Sequence, residues 1–304
     1  ALALDGVLPH QLLAALDGSV TAPALASDKL KAGIAKVAAD LKANTGKALV
    51  VSGSNDVNVQ IVVNAINNAI GAWGTTIDWT RPLNNRAGID KEFADLLTDM
   101  EAGNVGALLI YGANPAYDSY AADKFKAALA KVKLTVSFGE RWDETTELCT
   151  YNLPAPHYLE SWGDAEPKAG ITSFIQPTIY PLFKTRAYQT SLLRWAGNMT
   201  DYETYVKRYW AGVLGSEEAY DKALQEGIVM GAGVAAGSYS GAAVSAAAGE
   251  LAKAKKAGEN ELVLYQKVAI GTGVGATNPW MQELPDPITR ATWLCRVTRT
   301  YRHQ

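Results

Sequence analysis

Short, charge-free apolar runs alternate with amphipathic stretches through the first half of the chain, and this limits the folds open to it. The runs are Ala48-Leu49-Val50-Val51 and Ala107-Leu108-Leu109-Ile110-Tyr111, with a third strand from Leu134 to Phe138. Apolar runs this short, without polar alternation, read as strands buried on both faces. Helices between them must carry the chain back across a face of the sheet, which makes the pairing parallel and the crossovers right-handed. We expect an α/β fold with a doubly wound, mainly parallel sheet and strands near 48–52, 107–111 and 134–138.

The intervening segments have helical spacing. Leu30, Ile34, Val37, Ala38 and Leu41 share one face of a helix over 25–41, with Ser27 as N-cap and Gly46 past its end. Val59, Val62, Val63, Ile66 and Ile70 line a second helix closed by Gly71. Phe93, Leu96, Leu97 and Met100 line a third ending at Gly103, and Phe125, Leu129 and Val132 a fourth. Ligands of such sheets sit outside the carboxyl ends of the strands. Here those are Ser52–Asn55, Gly112–Pro115 and Gly139–Thr145.

The second half is less regular. Residues 139–181 are rich in Pro, Gly and aromatics and read mostly as ordered loop. Helices are expected near 185–195, 201–211 and 216–226, and a strand over 261–268. Residues 227–249 carry no charge, but Gly, Ala and Ser supply little transfer energy, so a linker is expected there and not a membrane span. We expect an α/β domain over 1–226, a Gly/Ala-rich linker and short helix over 227–258, and a return strand with a C-terminal segment over 259–304. The start at Ala1 suggests a processed or trimmed N-terminus.

The chain holds 2 cysteines and 3 histidines. An iron–sulphur cubane needs about four thiolates and a structural zinc about four Cys or His ligands, so neither has a site. A Cys149–Cys295 disulphide is possible, with nothing in the sequence to favour it. A net charge of −3 and a pI near 5.7 argue against nucleic acid.

Asp143, Cys149 and His157 contain the types needed for a thiol nucleophile, and Glu160, Asp164 and Glu166 those for acid–base work. A buried inert thiol, a hydrogen-bonded loop histidine and a solvated acidic loop are the simpler expectations. Tyr202, Tyr205, Tyr209 and Trp210 fall at helical spacing and suggest a core face. Asn198-Met199-Thr200 matches a glycosylation acceptor, a pattern common by chance. Gly271-Thr272-Gly273-Val274-Gly275-Ala276 looks like a dinucleotide loop, but Asn278-Pro279 is not expected to continue into the helix such a loop needs. In Tyr111-Gly112-Ala113-Asn114-Pro115, the Gly after a strand lets backbone approach a ligand and the Asn can cap a turn or bond a ligand.

That turn, followed by Asp143-Glu144-Thr145-Thr146, Leu153-Pro154 and Glu160-Ser161-Trp162-Gly163-Asp164, resembles the molybdopterin oxidoreductase family. The strings from Leu153 to Asp164, from Gln176 to Phe183 and from Asn278 to Thr289 are similar to the iron–sulphur subunit of bacterial alternative complex III. The resemblance runs from about Lys29 to Trp293. It implies a Rossmann-like domain of the molybdopterin oxidoreductase type, with Ser52, Gly53, Gly112, Asn114, Glu144 and Thr145 as vestigial cofactor-binding positions. In that subunit this domain is understood to be empty, and the iron–sulphur clusters lie in a separate ferredoxin-like part of the parent. The C-terminal barrel of active relatives and the cluster cysteines have no counterpart here, and the basic tail 294–304 is expected to be foreign to the family fold.

Three functions compete. The first is a non-catalytic scaffold without molybdopterin, contacting other subunits of a membrane-bound, quinol-oxidising respiratory complex on the periplasmic side of the inner membrane. The second is the cofactor-binding part of an active molybdopterin guanine dinucleotide oxidoreductase. The third is a stand-alone small-molecule enzyme. The strand-end loops offer Arg141 beside Asp143, Glu144 and Glu147, an acidic balance that opposes a pyrophosphate and supports the first.

Overall fold

The computed structural model describes residues 27–85, 88–253, 270–271, 273, 276–287 and 290–292. They fall into two units. The first comprises 1–85, 166–172 and 230–261, the second 86–165, 173–229 and 262–304. The fold mixes helices with a three-stranded parallel sheet, compatible with the α/β class.

That sheet belongs to the second unit. Strands β1 (Ala107–Ile110), β2 (Leu134–Ser137) and β3 (Tyr151–Asn152) lie in the order β1-β2-β3. Ala107 pairs with Leu134 and Val136 with Tyr151, both in parallel. Helix α3 (Asp90–Glu101) leads into β1, and α4 (Pro115–Asp118) and α5 (Ala122–Leu129) link β1 to β2. Leu97, Met100, Phe125, Ala128 and Leu129 are buried in one cluster, so α3 and α5 meet through the residues their periodicity set on one face. Gly103, at φ +77°, ends the turn after α3 in the left-handed conformation that favours glycine.

Two expectations about the strands need correction. Residues 48–52 form no strand and do not join the sheet; β3 is its third member. Val50 instead satisfies its backbone against a side chain, donating its N–H to Asn67 Oδ1 (2.9 Å) and accepting from Asn67 Nδ2 (2.8 Å). Nor is β1 buried on both faces. It lies at the edge of this sheet, and Leu109 is 45% exposed, whereas Thr135, Val136 and Ser137 of the central β2 are all buried.

In the first unit, Ser27 caps α1 (Asp28–Ala43) as expected. Of the face proposed for α1, however, only Ala38 is buried; Leu30 and Val37 are exposed. Helix α2 (Val57–Ala69) buries Ala65, Ile66 and Asn67, with Ile70 just past its end. Its partner is α10 (Val244–Lys253), whose Val244 packs with Ala65, Ile61, Ala69 and Tyr239. The end of the uncharged stretch is therefore a packed helix. No helix among the described residues is long and apolar enough to cross a membrane.

Residues 139–181 hold more regular secondary structure than the ordered loop expected. They contain α6 (Glu144–Leu148), β3, a 3-10 turn at Tyr158–Glu160, and strands β4 (Gly163–Lys168) and β5 (Ile171–Ile175). Gly170, at φ +74°, turns β4 into β5, and β6 (Ile228–Met230) completes the order β4-β5-β6. Helices α7 (Tyr188–Trp195), α8 (Tyr202–Leu214) and α9 (Glu217–Glu226) match the expected positions. Asp201 and Ser216 cap the last two, and Gly215 and Gly227 end them with positive φ. The aromatic series of α8 is not its core face: Val206 is the residue buried, while Tyr205 and Tyr209 are exposed. The strand expected at 261–268, Cys295 and the tail lie outside the described residues.

Candidate functional site

Two of the three strand-end loops come together. The turn after β1 and the turn before α6 both follow the carboxyl ends of adjacent parallel strands, and Asn114 joins them. Its Oδ1 accepts from Thr145 Oγ1 (2.7 Å) and Thr145 N (3.2 Å), and its Nδ2 donates to Glu144 Oε2 (2.8 Å). Thr145 Oγ1 then accepts from Ala116 N (3.0 Å). Asp143 Oδ1 accepts from Thr146 N (2.7 Å), and Ser137 Oγ and Thr146 Oγ1 share a hydrogen bond (2.9 Å). Asn114 thus sits beside Glu144 and Thr145, with Gly112 two residues before it in the same turn. Ser52 and Gly53 belong to the first unit. There Ser52 Oγ accepts from Ser54 N, and Ser52 and Ser54 carbonyls accept from Gln60 Nε2, so this turn too is bonded within itself.

The glycines have local explanations. Gly112 sits at φ +64°, so the turn itself requires it, and a Cβ there would meet nothing within 4 Å. A Cβ on Gly139 would lie 2.9 Å from Thr146 Oγ1 and 3.1 Å from the Arg141 carbonyl, so that loop folds tightly on itself.

The acids of these loops are shifted by their neighbours. The Asn114 amide beside Glu144 holds its carboxyl below the ordinary glutamate range. Burial, and to a lesser degree Asp143, pushes the Asp118 carboxyl up. Lys126 of α5 adds a positive charge near Glu144 that the loop sequences did not reveal, and Arg141 Nη1 donates to Thr277 Oγ1 (3.2 Å). A guanine dinucleotide would need several converging N–H donors and cationic charge around its pyrophosphate. The Asn114 amide nitrogen already donates to a carboxylate, and its oxygen accepts from Thr145. The side chains of Asn114, Glu144 and Thr145 are bonded to one another and supply no cation for that pyrophosphate.

The other sequence candidates are occupied separately. Burial pushes the Cys149 thiol up, and its side chain packs against the α3–α5 cluster. His157 Nδ1 accepts from Leu159 N (3.3 Å) and caps the 3-10 turn. Glu160 accepts from His157 N and Leu182 N (3.2 and 3.1 Å), Asp164 from the Trp210 indole (2.6 Å) and Glu166 from Gly170 N (2.6 Å). Each acid has a structural bond. No group of three or more His, Cys, Asp or Glu that could hold a metal occurs among the described residues. Asn278 caps Trp280 N and Pro279 opens α11 (Pro279–Glu283), so Asn-Pro does start a short helix, contrary to expectation.

The Glu160 bonds reveal a relationship that the sequence did not. They tie the string 153–164 to the string 176–183, reinforced by Thr178 N and Ile179 N donating to the Leu159 carbonyl (2.7 and 3.1 Å). An open cleft of about 240 Å³ lies alongside, walled by Tyr111, Tyr158, Trp162, Asp164, Tyr188 and Tyr202 among others. The rings of Tyr111 and Tyr188 are 4.0 Å apart. Burial, reinforced by Asp164 and Tyr188, pushes the Tyr202 phenol up to about 12.

No protein-family model matches the chain. Over 97 residues, 31% of its length, it is 33% identical to the molybdopterin-binding-like subunit of menaquinone reductase from Nitratidesulfovibrio vulgaris. That match spans 14% of the relative's length. It supports a molybdopterin-oxidoreductase-like relationship and says nothing specific to alternative complex III.

Proposed function

We propose that this chain is a structural, partner-contacting part of an electron-transfer subunit in a membrane quinol-oxidising complex, on the periplasmic side of a bacterial inner membrane. Alternative complex III is the complex its strings most resemble. In this reading the chain holds neither molybdopterin nor a metal and catalyses no step, and clusters sit elsewhere in the parent. The observation that carries it is the closure of Asn114 on Glu144 and Thr145. The residues that the resemblance assigns to a dinucleotide bind one another, and Glu144 among them is an exposed carboxylate. The relative, named as a molybdopterin-binding-like subunit of a quinone reductase, supports the electron-transfer setting and the presence of partner subunits.

Calorimetric titration of the chain with guanosine diphosphate, with pterin and molybdenum analysis of the native full-length protein, tests this. No binding heat and no pterin are expected. Micromolar binding, or stoichiometric molybdopterin, would make the protein a cofactor-binding enzyme instead.

A further inference from the structure

We propose that the aromatic cleft beside β1 binds an organic cation, an ammonium or guanidinium group. Five aromatic residues, Tyr111, Tyr158, Trp162, Tyr188 and Tyr202, line it, with Tyr111 packed on Tyr188 and Tyr158 on His157, and aromatic π-systems attract cations. Asp164 is the charged residue among the lining side chains, and no Lys, Arg or His joins it there. Its position is fixed, because Trp210 Nε1 donates to Asp164 Oδ2 at 2.6 Å and Gly163 begins strand β4 immediately before it. The cation thus has both an aromatic wall and a held carboxylate.

Size and protonation narrow the ligand further. A space of about 240 Å³ falls below the roughly 300 Å³ at which pockets for drug-sized ligands begin, so it suits a headgroup and not a nucleotide. Tyr202 stays a neutral phenol over the working pH range, available as a wall and a hydrogen-bond donor. This chemistry is opposite in sign to that of a dinucleotide site, and the inference is independent of the scaffold reading. The cation has two natural sources: a free quaternary ammonium, or the Lys or Arg side chain of another protein.

The test is calorimetric titration of the full chain at constant ionic strength with tetramethylammonium chloride, with tert-butanol as its neutral isostere, and with acetyl-arginine amide. We expect tetramethylammonium to bind in about the millimolar range and tert-butanol not to bind. Asp164→Asn should weaken the cation about tenfold. Tyr158→Ala, at a ring that is largely exposed, should weaken it as well and carries the test if Asp164→Asn disturbs folding. Tighter binding of acetyl-arginine amide assigns the site to a protein side chain, and tighter tetramethylammonium binding to a free quaternary ammonium. Equal behaviour of tetramethylammonium and tert-butanol on the folded chain, or unchanged affinity in a folded variant, overturns the proposal.

Discussion

Asn67 stands in for a neighbouring strand at Val50: its amide accepts the Val50 N–H and donates to the Val50 carbonyl, at 2.9 and 2.8 Å. Asn67 is 3% exposed and Val50 half-buried, so both bonds are partly shielded from water. Asn67→Leu leaves both backbone groups unpaired and should cost about 2–3 kcal/mol, read from urea unfolding. Asn67→Asp keeps the shape but cannot donate to the carbonyl, and should cost a comparable amount at neutral pH. Wild-type stability in Asn67→Asp would show that the donor half does not matter.

The Asn114–Glu144 bond makes a pH prediction. The folded glutamate pKa lies below the ordinary 4.5, so the contribution is whole above the unfolded value and is lost as pH falls through the lowered folded one. In Asn114→Ala the Glu144 carboxyl should titrate at higher pH, followed by side-chain NMR. Because Glu144 is solvent-exposed, its charge adds little to stability. The loss of the buried Thr145 partner should dominate, at about 1–2 kcal/mol.

Cys149 should react slowly. Its thiol is pushed up by burial, and the thiolate is the nucleophile. In a Cys295→Ser background, disulphide-exchange labelling at pH 7 should be more than about tenfold slower than for a free thiol. It should recover once denaturant opens the chain. Fast native labelling would mean that Cys149 is activated.

Gly233→Ala should destabilise the first unit. A Cβ there would collide with the Thr80 carbonyl, which also accepts from Val234 N at 2.8 Å. Neither side can move without breaking that bond, so about 1–3 kcal/mol is expected in thermal unfolding. Gly237→Ala, where a Cβ meets nothing within 4 Å, is the matched control.

What the sequence disclosed followed from which interactions are local. β1 was legible because a continuous apolar run left only a strand to satisfy it, β2 because Leu134, Val136 and Phe138 alternate with Thr135 and Ser137, and α3 and α5 because Leu97, Met100, Phe125 and Leu129 recur at helical spacing. The run at 48–51 was misleading because its backbone partner is a side chain 17 residues away, which no pattern announces. β3, two residues long, is too short for a periodicity. In β4 the density of Gly, Pro and charge hid a strand, and with it the partner of β5. The Asn114–Glu144–Thr145 node was foreseen as an assembly of loops, but its internal bonding was not. The cleft was missed because its aromatics come from separated segments.

The first unit is sewn from stretches far apart in the chain. Gly231 N donates to the Gly170 carbonyl at 2.7 Å, Arg81 Nη2 to the Gly231 carbonyl at 3.2 Å, and α10 covers Ala65 of α2. During synthesis, α2 emerges long before its covering helix exists. At about 5–20 residues per second, the delay is on the order of ten seconds. Through that interval Ala65 and Ile61 lack their cover on the nascent chain, and closure of this unit waits for residues 244–253 to be made.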